Sequence, residues 1–189
     1  MPDFMRFAVP KHRLVLGYML LWPLIVGYKL KWVSGILVRR AIVWMGFRGM
    51  AETTFEQLGQ RFATEVIPLA LRPEMLAKIA WHRAQGHRLV VVSGALDVYL
   101  KHWCAAHGLE LVCSALEVRE GRLTGRYLGE QCVRVEKVRR LGQIVALDEY
   151  GPIHAYGDTD EDLDLLALAD IAFMRGVPFE STKKPVHTM

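Results

Sequence analysis

Apolar residues recur along this chain with two different periods. From Lys11 to Phe47 they are dense and helically spaced, with Lys and Arg at intervals. Ser34 stands where it can cap a second helix running toward Met45. Thr53-Thr54-Phe55-Glu56 has the spacing of a capping box, in which Thr and Glu side chains exchange bonds with the first turn. A helix to about Val66 is expected to follow. Pro73 suits the first position of the next helix, and Gly86 its end. The period then changes. Arg88 to Val92 is a short apolar run closed by Ser93-Gly94, the pattern of a strand buried in a parallel sheet. Asp97 to His107 reads as a helix ended by Gly108, and Leu109 to Cys113 as a strand. Leu116 to Tyr127 reads as a hairpin turning at Glu120-Gly121. Arg134 to Val145 is a basic amphipathic helix. Pro152 to Tyr156 is a strand followed at once by Gly157-Asp158. Asp160 to Leu168 is helical, Ile171 to Met174 is a last strand, and the tail from Glu180 is expected to be loose.

Helices alternating with strands imply an α/β fold, a parallel sheet with helices on both faces. In such sheets ligands bind beyond the carboxyl ends of the strands. Two strand ends carry polar residues, Ser93-Gly94 and Gly157-Asp158.

The apolar run from Leu14 to Tyr28 follows Lys11-His12-Arg13 and precedes Lys29-Leu30-Lys31. Its outline is that of a signal peptide, but no small-residue cleavage site follows. It is shorter than the roughly 20 residues a spanning helix needs, and Pro23 interrupts it. The first expectation is a helix buried on most of its sides. A helix lying on a membrane surface is the alternative, ahead of a true span.

Composition narrows this picture. Hydrophobic residues make up 52% of the 189 positions and charged residues 23%, the balance of a globular domain with a sizeable core. A net charge of +4 suits an anionic substrate or a membrane surface. It is too small to argue for nucleic acid, and no aromatic-basic module is present. Three cysteines, Cys104, Cys113 and Cys132, with no CxxC, speak against a disulfide framework or zinc knuckle and for a reducing cytoplasm. His102, Cys104 and His107 do not fall on one helical face and read as ordinary helix residues.

Candidate chemistry sits at the strand ends. Residues 158–164 hold five carboxylates in seven positions, which repel one another unless a cation or solvent relieves them. Asp158 falls at the strand end, with Asp162 one turn later on the same face. Hard oxygen ligands of this kind suit Mg²⁺. An acidic helix start favoured by the macrodipole is an equally good reading. Ser93 offers a hydroxyl and Gly94 a backbone N–H at a helix start, both able to bind a phosphate oxygen, although most Ser-Gly pairs are plain turns. Lys137 on its helix would ordinarily be solvated. Facing a cleft, it would neutralise phosphate and carboxylates.

The order strand-Ser, helix-Lys, strand-Gly-Asp-Thr-x-x-Asp resembles motifs two, three and four of the haloacid dehalogenase superfamily. The flanking text is similar to its phosphoserine-phosphatase-like subclass IB. The stretches that carry the likeness are Arg72-Pro73-Glu74, Trp81 to His87, Leu116-Glu117-Val118 with Gly121 to Gly125, Glu136 to Arg139, and Tyr156-Gly157-Asp158. The resemblance implies a Rossmann-like core over 71–189, a helical cap over 1–70 and a small β-hairpin. It implies a Mg²⁺-dependent phosphomonoester hydrolase acting on a small phosphorylated metabolite. Asp158 would be a Mg²⁺ ligand. Asp162, assigned to the metal and catalytic set, would support the metal's waters and Lys137. Ser93 and the Gly94 N–H would hold the phosphoryl group, and Lys137 would offset its charge. Selectivity would lie in the cap, where Arg39, Arg40 and Arg48 are equal candidates for anion contacts. The family reaction transfers the phosphoryl group to an aspartate and then to water, with a second aspartate two residues later as acid and base.

That first motif, a strand followed by Asp-x-Asp-x-Thr, has no counterpart here. Asp3 is the only aspartate before Asp97, and residue five is Met5. The chain as given is therefore expected to be inactive. The absent motif also carries the central strand of the sheet. Unpaired strand edges cost about 1–3 kcal/mol per buried group, against a total stability of about 5–15 kcal/mol. Three accounts follow. Met1 is an internal methionine of a longer active enzyme, the favoured one because Met1-Pro2-Asp3-Phe4 resembles the stretch just after the first motif in relatives. Or the neighbouring strands close up, or another segment fills the slot. Or the chain is an inactive relative that binds a phosphate ligand or a membrane surface.

Overall fold

Helices come first because the apolar residues early in the chain fall at helical spacing, which here outweighs the many β-branched and aromatic residues among them. In the computed structural model, which describes residues 2–180, they are α1 (Pro2–Ala8), α2 (Lys11–Lys29), α3 (Gly35–Phe47), α4 (Glu52–Glu65), α5 (Ile67–Ala70) and α6 (Pro73–Ala84). The tail expected to be loose lies, beyond Glu180, outside the described residues. Ser34 caps α3, its hydroxyl accepting from the Leu37 N–H at 3.4 Å. Pro73 opens α6, as its fixed φ and missing N–H allow. The capping box expected at Thr53–Glu56 does not form. α4 starts at Glu52 behind Ala51, which has no side-chain cap. Tertiary bonds set that start: Ala51 bridges Arg122, and the Glu52 N–H reaches the Gly121 carbonyl at 2.9 Å. Thr53 thereby falls inside the first turn, and the Glu56 carboxylate instead meets Lys101 at 2.6 Å.

The strands follow in pieces. β1 (Val90–Leu96) pairs with β2 (Glu110–Ser114), α7 (Asp97–Ala106) lying between them in sequence. β3 (Leu116–Arg119) and β4 (Arg122–Tyr127) form the expected hairpin. Its two turn residues, Glu120 and Gly121, have φ of 50° and 69°, the backbone that lets a two-residue turn follow the strands' twist. α8 (Val135–Leu141) stops earlier than its pattern suggested, at the Gly142 cap. β5 (His154–Gly157) precedes a 3-10 turn, Asp160–Asp162, and α9 (Leu163–Leu166). β6 (Ile171–Met174) runs parallel to β5. β7 (Val177–Phe179), not anticipated from the sequence, pairs antiparallel with β6. Pro178 hid it, since a proline fits only an edge strand.

β1 and β5 belong to different sheets, β1-β2 and β5-β6-β7. Among the described residues no strand is hydrogen-bonded to both. Among these residues the neighbours of the expected central strand are not paired into one sheet, and no other strand is paired between them.

Contacts group the chain into two units, Met1–Val91 with Ala95–Gln131, and Val92–Gly94 with Cys132–Met189. Residues on both sides of position 70 share the first. Its core is aromatic: the Phe4 ring lies 5.7 Å from Phe47, 5.1 Å from Phe62 and 4.8 Å from Tyr99. Leu96, Val98, Leu116 and Leu123 complete it. α4 and α7 approach so closely that a Cβ on Gly59 would sit 2.2 Å from the Val98 carbonyl oxygen. α2 contradicts the expectation of a helix buried on most sides, since its buried residues are Gly17 and Gly27. α3 and the turn before it cover one side of it, where Gly17 faces Met45 of α3 and Gly27 faces Val33 of the turn. No helix among the described residues is long and apolar enough to cross a membrane.

Candidate functional site

The second unit gathers Ser93, Gly94, Lys137, Asp158 and Asp162, which lie up to 69 positions apart in the chain. Gly157 makes the fold-back possible. A Cβ there would lie 2.6 Å from the Asp162 Cβ, so only glycine lets the chain return on itself after β5. The Asp162 carboxylate then collects donors. One oxygen accepts from the Asp158 N–H at 3.1 Å, the Thr159 N–H at 3.0 Å and the Thr159 hydroxyl at 2.8 Å. The other accepts from the Lys137 ammonium. Lys137 is 5% exposed and Asp162 7%, so this is a buried ion pair. Lys137 is thus not the solvated helix lysine that its isolated position would suggest.

Asp158 and Asp162 were expected on one helical face. Asp158 instead precedes the helical turn, is exposed, and is tied to Asp162 through its own backbone. Thr159 and Asp162 form a reciprocal cap of that turn. The Thr-x-x-acid spacing could have signalled it. Ser93 and Gly94 also sit differently from expectation. β1 runs through them to Leu96, and α7 begins only at Asp97, so the Gly94 N–H is not at a helix start. Gly94 packs where a Cβ would meet the Val133 side chain at 2.9 Å and the Cys132 carbonyl at 3.3 Å. Behind it the Arg134 N–H bonds the Glu161 carbonyl at 3.1 Å, joining the lysine helix to the acidic loop. Arg175, which sequence reasoning missed, donates to the Asp158 carbonyl at 2.9 Å from the β6–β7 turn.

Burial alone pushes the Asp162 carboxyl up, but the bonds from Lys137 and Thr159 outweigh it and hold it below the ordinary carboxylate value. A carboxyl depressed in the folded state stabilises fully above its unfolded value, about 3.9, and loses that contribution as pH falls through the folded value. Thermal unfolding followed from pH 6 downward is therefore expected to show a steeper acid loss in the wild-type chain than in Asp162→Asn, mainly below about pH 4. Parallel curves would remove Asp162 from the acid response.

Asp3 lies exposed in the first turn of α1, 3.6 Å from Arg6. The three arginines of the helical region part ways. Arg39 donates to Gln131 at 2.8 Å, and Arg48 lies over the Trp44 ring at 4.9 Å. Arg40, paired with Glu130, lines a cavity of about 610 Å³ with Arg126, Trp44 and Tyr127. The residues present do not make a Mg²⁺ site by themselves. Asp162 spends its oxygens on four donors, and among the described residues no group of three His, Cys, Asp or Glu could hold a metal. Asp158 is the exposed carboxylate of the motif.

The chain matches the model of the haloacid dehalogenase-like hydrolase family over residues 1–167. It is 30% identical to Protein CicA of Caulobacter vibrioides over 164 residues, covering 82% of this chain and 69% of that one. It is 28% identical over 129 residues to a histidinol-phosphatase of Neisseria meningitidis serogroup C, covering 63% and 58%. A Bordetella pertussis protein of unknown function superposes with a TM-score of 0.70 at 21% identity, over 80% of this chain and 70% of that one. A probable phosphoserine phosphatase from Vibrio cholerae gives 0.62 at 20% identity, over 80% and 46%. These structural likenesses carry the fold, Rossmann-like α/β. By the extent of the family match, this chain belongs to the haloacid dehalogenase-like hydrolases.

Proposed function

We propose that this chain carries the phosphoryl-binding half of a phosphomonoester hydrolase for a small phosphorylated metabolite. The observation that supports it is the buried Lys137–Asp162 pair, with Asp162 also holding the Asp158 and Thr159 backbone. Structural ion pairs are rarely buried without need, because desolvating two charges costs several kcal/mol each. Here the arrangement fixes a lysine beside the acidic loop. Lys137 offsets phosphoryl charge, and Ser93 with the Gly94 N–H supplies neutral donors. Asp162 acts through Lys137 and through water rather than as a direct ligand. Residues 1–70 are read as the cap and 71–189 as the core, and Arg40 and Arg126 line a cavity whose charge suits an anionic group. The three free cysteines suit a reducing, cytoplasmic setting.

If Mg²⁺ takes part, Asp158 is the residue of this chain that would hold it, and the ion would supply charge to offset the phosphoryl oxygens. With the carboxylate ligand of the first motif missing, weak affinity of this chain for the ion is expected. In this reading the chain itself provides no nucleophile. The binding reading therefore stands beside the enzyme reading: a phosphate ligand is held and not turned over. With p-nitrophenyl phosphate and Mg²⁺, the purified chain is expected to show no turnover above an Asp158→Ala control. Turnover above that control overturns the reading. Sequencing the coding DNA upstream of Met1 separates a longer active enzyme from an inactive relative. An in-frame strand with Asp-x-Asp-x-Thr supports the first, and a nearby in-frame stop the second.

A further inference from the structure

The first unit leaves an unusual surface uncovered. Met19 and Trp22 on α2 are 66% and 65% exposed, and Trp32 in the turn after it is 82% exposed. Val15, Leu16, Tyr18 and Leu20 are exposed as well, so the apolar surface is the broad side of α2 that α3 leaves uncovered. Contiguous apolar surface of this kind marks an interaction site.

Charge says what covers it. Between Asp3 and Glu52 the sequence holds eight Lys and Arg residues and no Asp or Glu, while the rest of the chain has an acidic excess. Lys11 and Arg13 stand at the start of α2, and Lys29 and Lys31 at its end. A second copy of this chain would bring the same basic surface against itself, and like charges facing each other oppose such pairing. An anionic surface that also accepts apolar side chains fits both properties. Tyr18, Trp22, Tyr28 and Trp32 are the side-chain types that rest at the boundary of headgroups and acyl chains. α2 is about 28 Å long at 1.5 Å per residue, carries Pro23, and does not qualify as a span. It suits the plane of the interface.

We infer that α2 and the turn after it form an interfacial helix that docks this protein on an anionic lipid bilayer. Its apolar side chains enter the headgroup region, and the flanking lysines and arginines contact lipid phosphates. This inference is independent of the proposed chemistry and survives if that chemistry fails.

Co-sedimentation of the full chain with vesicles tests it, using equal phosphatidylglycerol and phosphatidylcholine against phosphatidylcholine alone. Binding is expected to the anionic vesicles and to be at least about tenfold weaker with the neutral ones. Each basic residue near the surface contributes roughly fivefold. Lys29→Glu with Lys31→Glu tests charge, and Met19→Glu with Trp22→Glu tests apolar insertion. All four side chains are exposed, so circular dichroism is expected to show an intact fold. Both variants are expected to lose at least about tenfold in partitioning. No sedimentation by the wild-type chain, or equal sedimentation by wild type and both variants, overturns the inference. So does a dimer, seen by sedimentation velocity, that Met19→Glu with Trp22→Glu dissolves while vesicles are ignored.

Discussion

Asp162→Ala is expected to lower stability by about 3–5 kcal/mol, read from urea denaturation. Removing this carboxylate leaves the Lys137 ammonium buried and uncompensated. It also removes the acceptor shared by the Asp158 N–H, the Thr159 N–H and the Thr159 hydroxyl. Unmet donors that remain shielded from water add about 1–3 kcal/mol. Against a total of about 5–15 kcal/mol, the variant stands near the edge of folding. Asp162→Asn should lose less, because its carbonyl oxygen keeps part of the acceptor role while only the charge goes. The order of the two variants carries the test. If Asn costs as much as Ala, the pair with Lys137 dominates and the backbone bonds matter little. A loss of under about 1 kcal/mol for Ala would place the pair in the class of solvated surface ion pairs.

Phe4→Ala is the second large effect, expected at about 3–5 kcal/mol. Phe4 has no exposed surface and is ringed by Phe47, Phe55, Phe62 and Tyr99 at centroid distances from 4.8 to 5.9 Å. These partners come from α3, α4 and α7, so one truncation opens a cavity where three helices meet. Such a junction cannot collapse without moving helices, which places the cost toward the upper end. Phe7→Ala, with a partly buried ring beside Phe62 at 5.5 Å, is the control and should lose less. Equal losses in thermal or urea unfolding would mean that the core is not centred on Phe4.

Much of the fold was legible in the sequence because its punctuation is local. Ser34, Pro73, Gly108 and Glu120-Gly121 act within a few residues, and the elements they bound stand where their chemistry puts them. What escaped depends on partners far along the chain. The start of α4 is fixed by the hairpin through Gly121 and Arg122, which no reading of residues 51–56 alone reveals. α1 is too short to announce itself, and Phe4 matters through rings from Phe47 onward. The apolar run of α2 looked like a buried helix because hydrophobicity ordinarily signals a core. Its exposure follows from how little of it α3 covers. At the site, residue types and order pointed to Ser93, Gly94, Lys137, Asp158 and Asp162, and the second unit contains all five. Their geometry was less legible. The continuation of β1 through Ser93-Gly94 goes with packing against Cys132 and Val133, far along the chain, whereas the cap made by Thr159 and Asp162 is local and its Thr-x-x-Asp spacing could have signalled it.

The proposal on which the rest depends is that Ser93, the Gly94 N–H and Lys137 hold a phosphoryl group beside the Asp158–Asp162 loop. Calorimetric titration of inorganic phosphate into the wild-type chain, Ser93→Ala and Lys137→Met tests it most directly. Saturable binding by the wild type is expected, at least about tenfold weaker in each variant, which corresponds to about 1.4 kcal/mol. Ser93→Ala leaves the Lys137–Asp162 pair in place, so its loss cannot be assigned to unfolding. Absence of phosphate binding by the wild-type chain, or affinity unchanged in Ser93→Ala and Lys137→Met, would contradict the account.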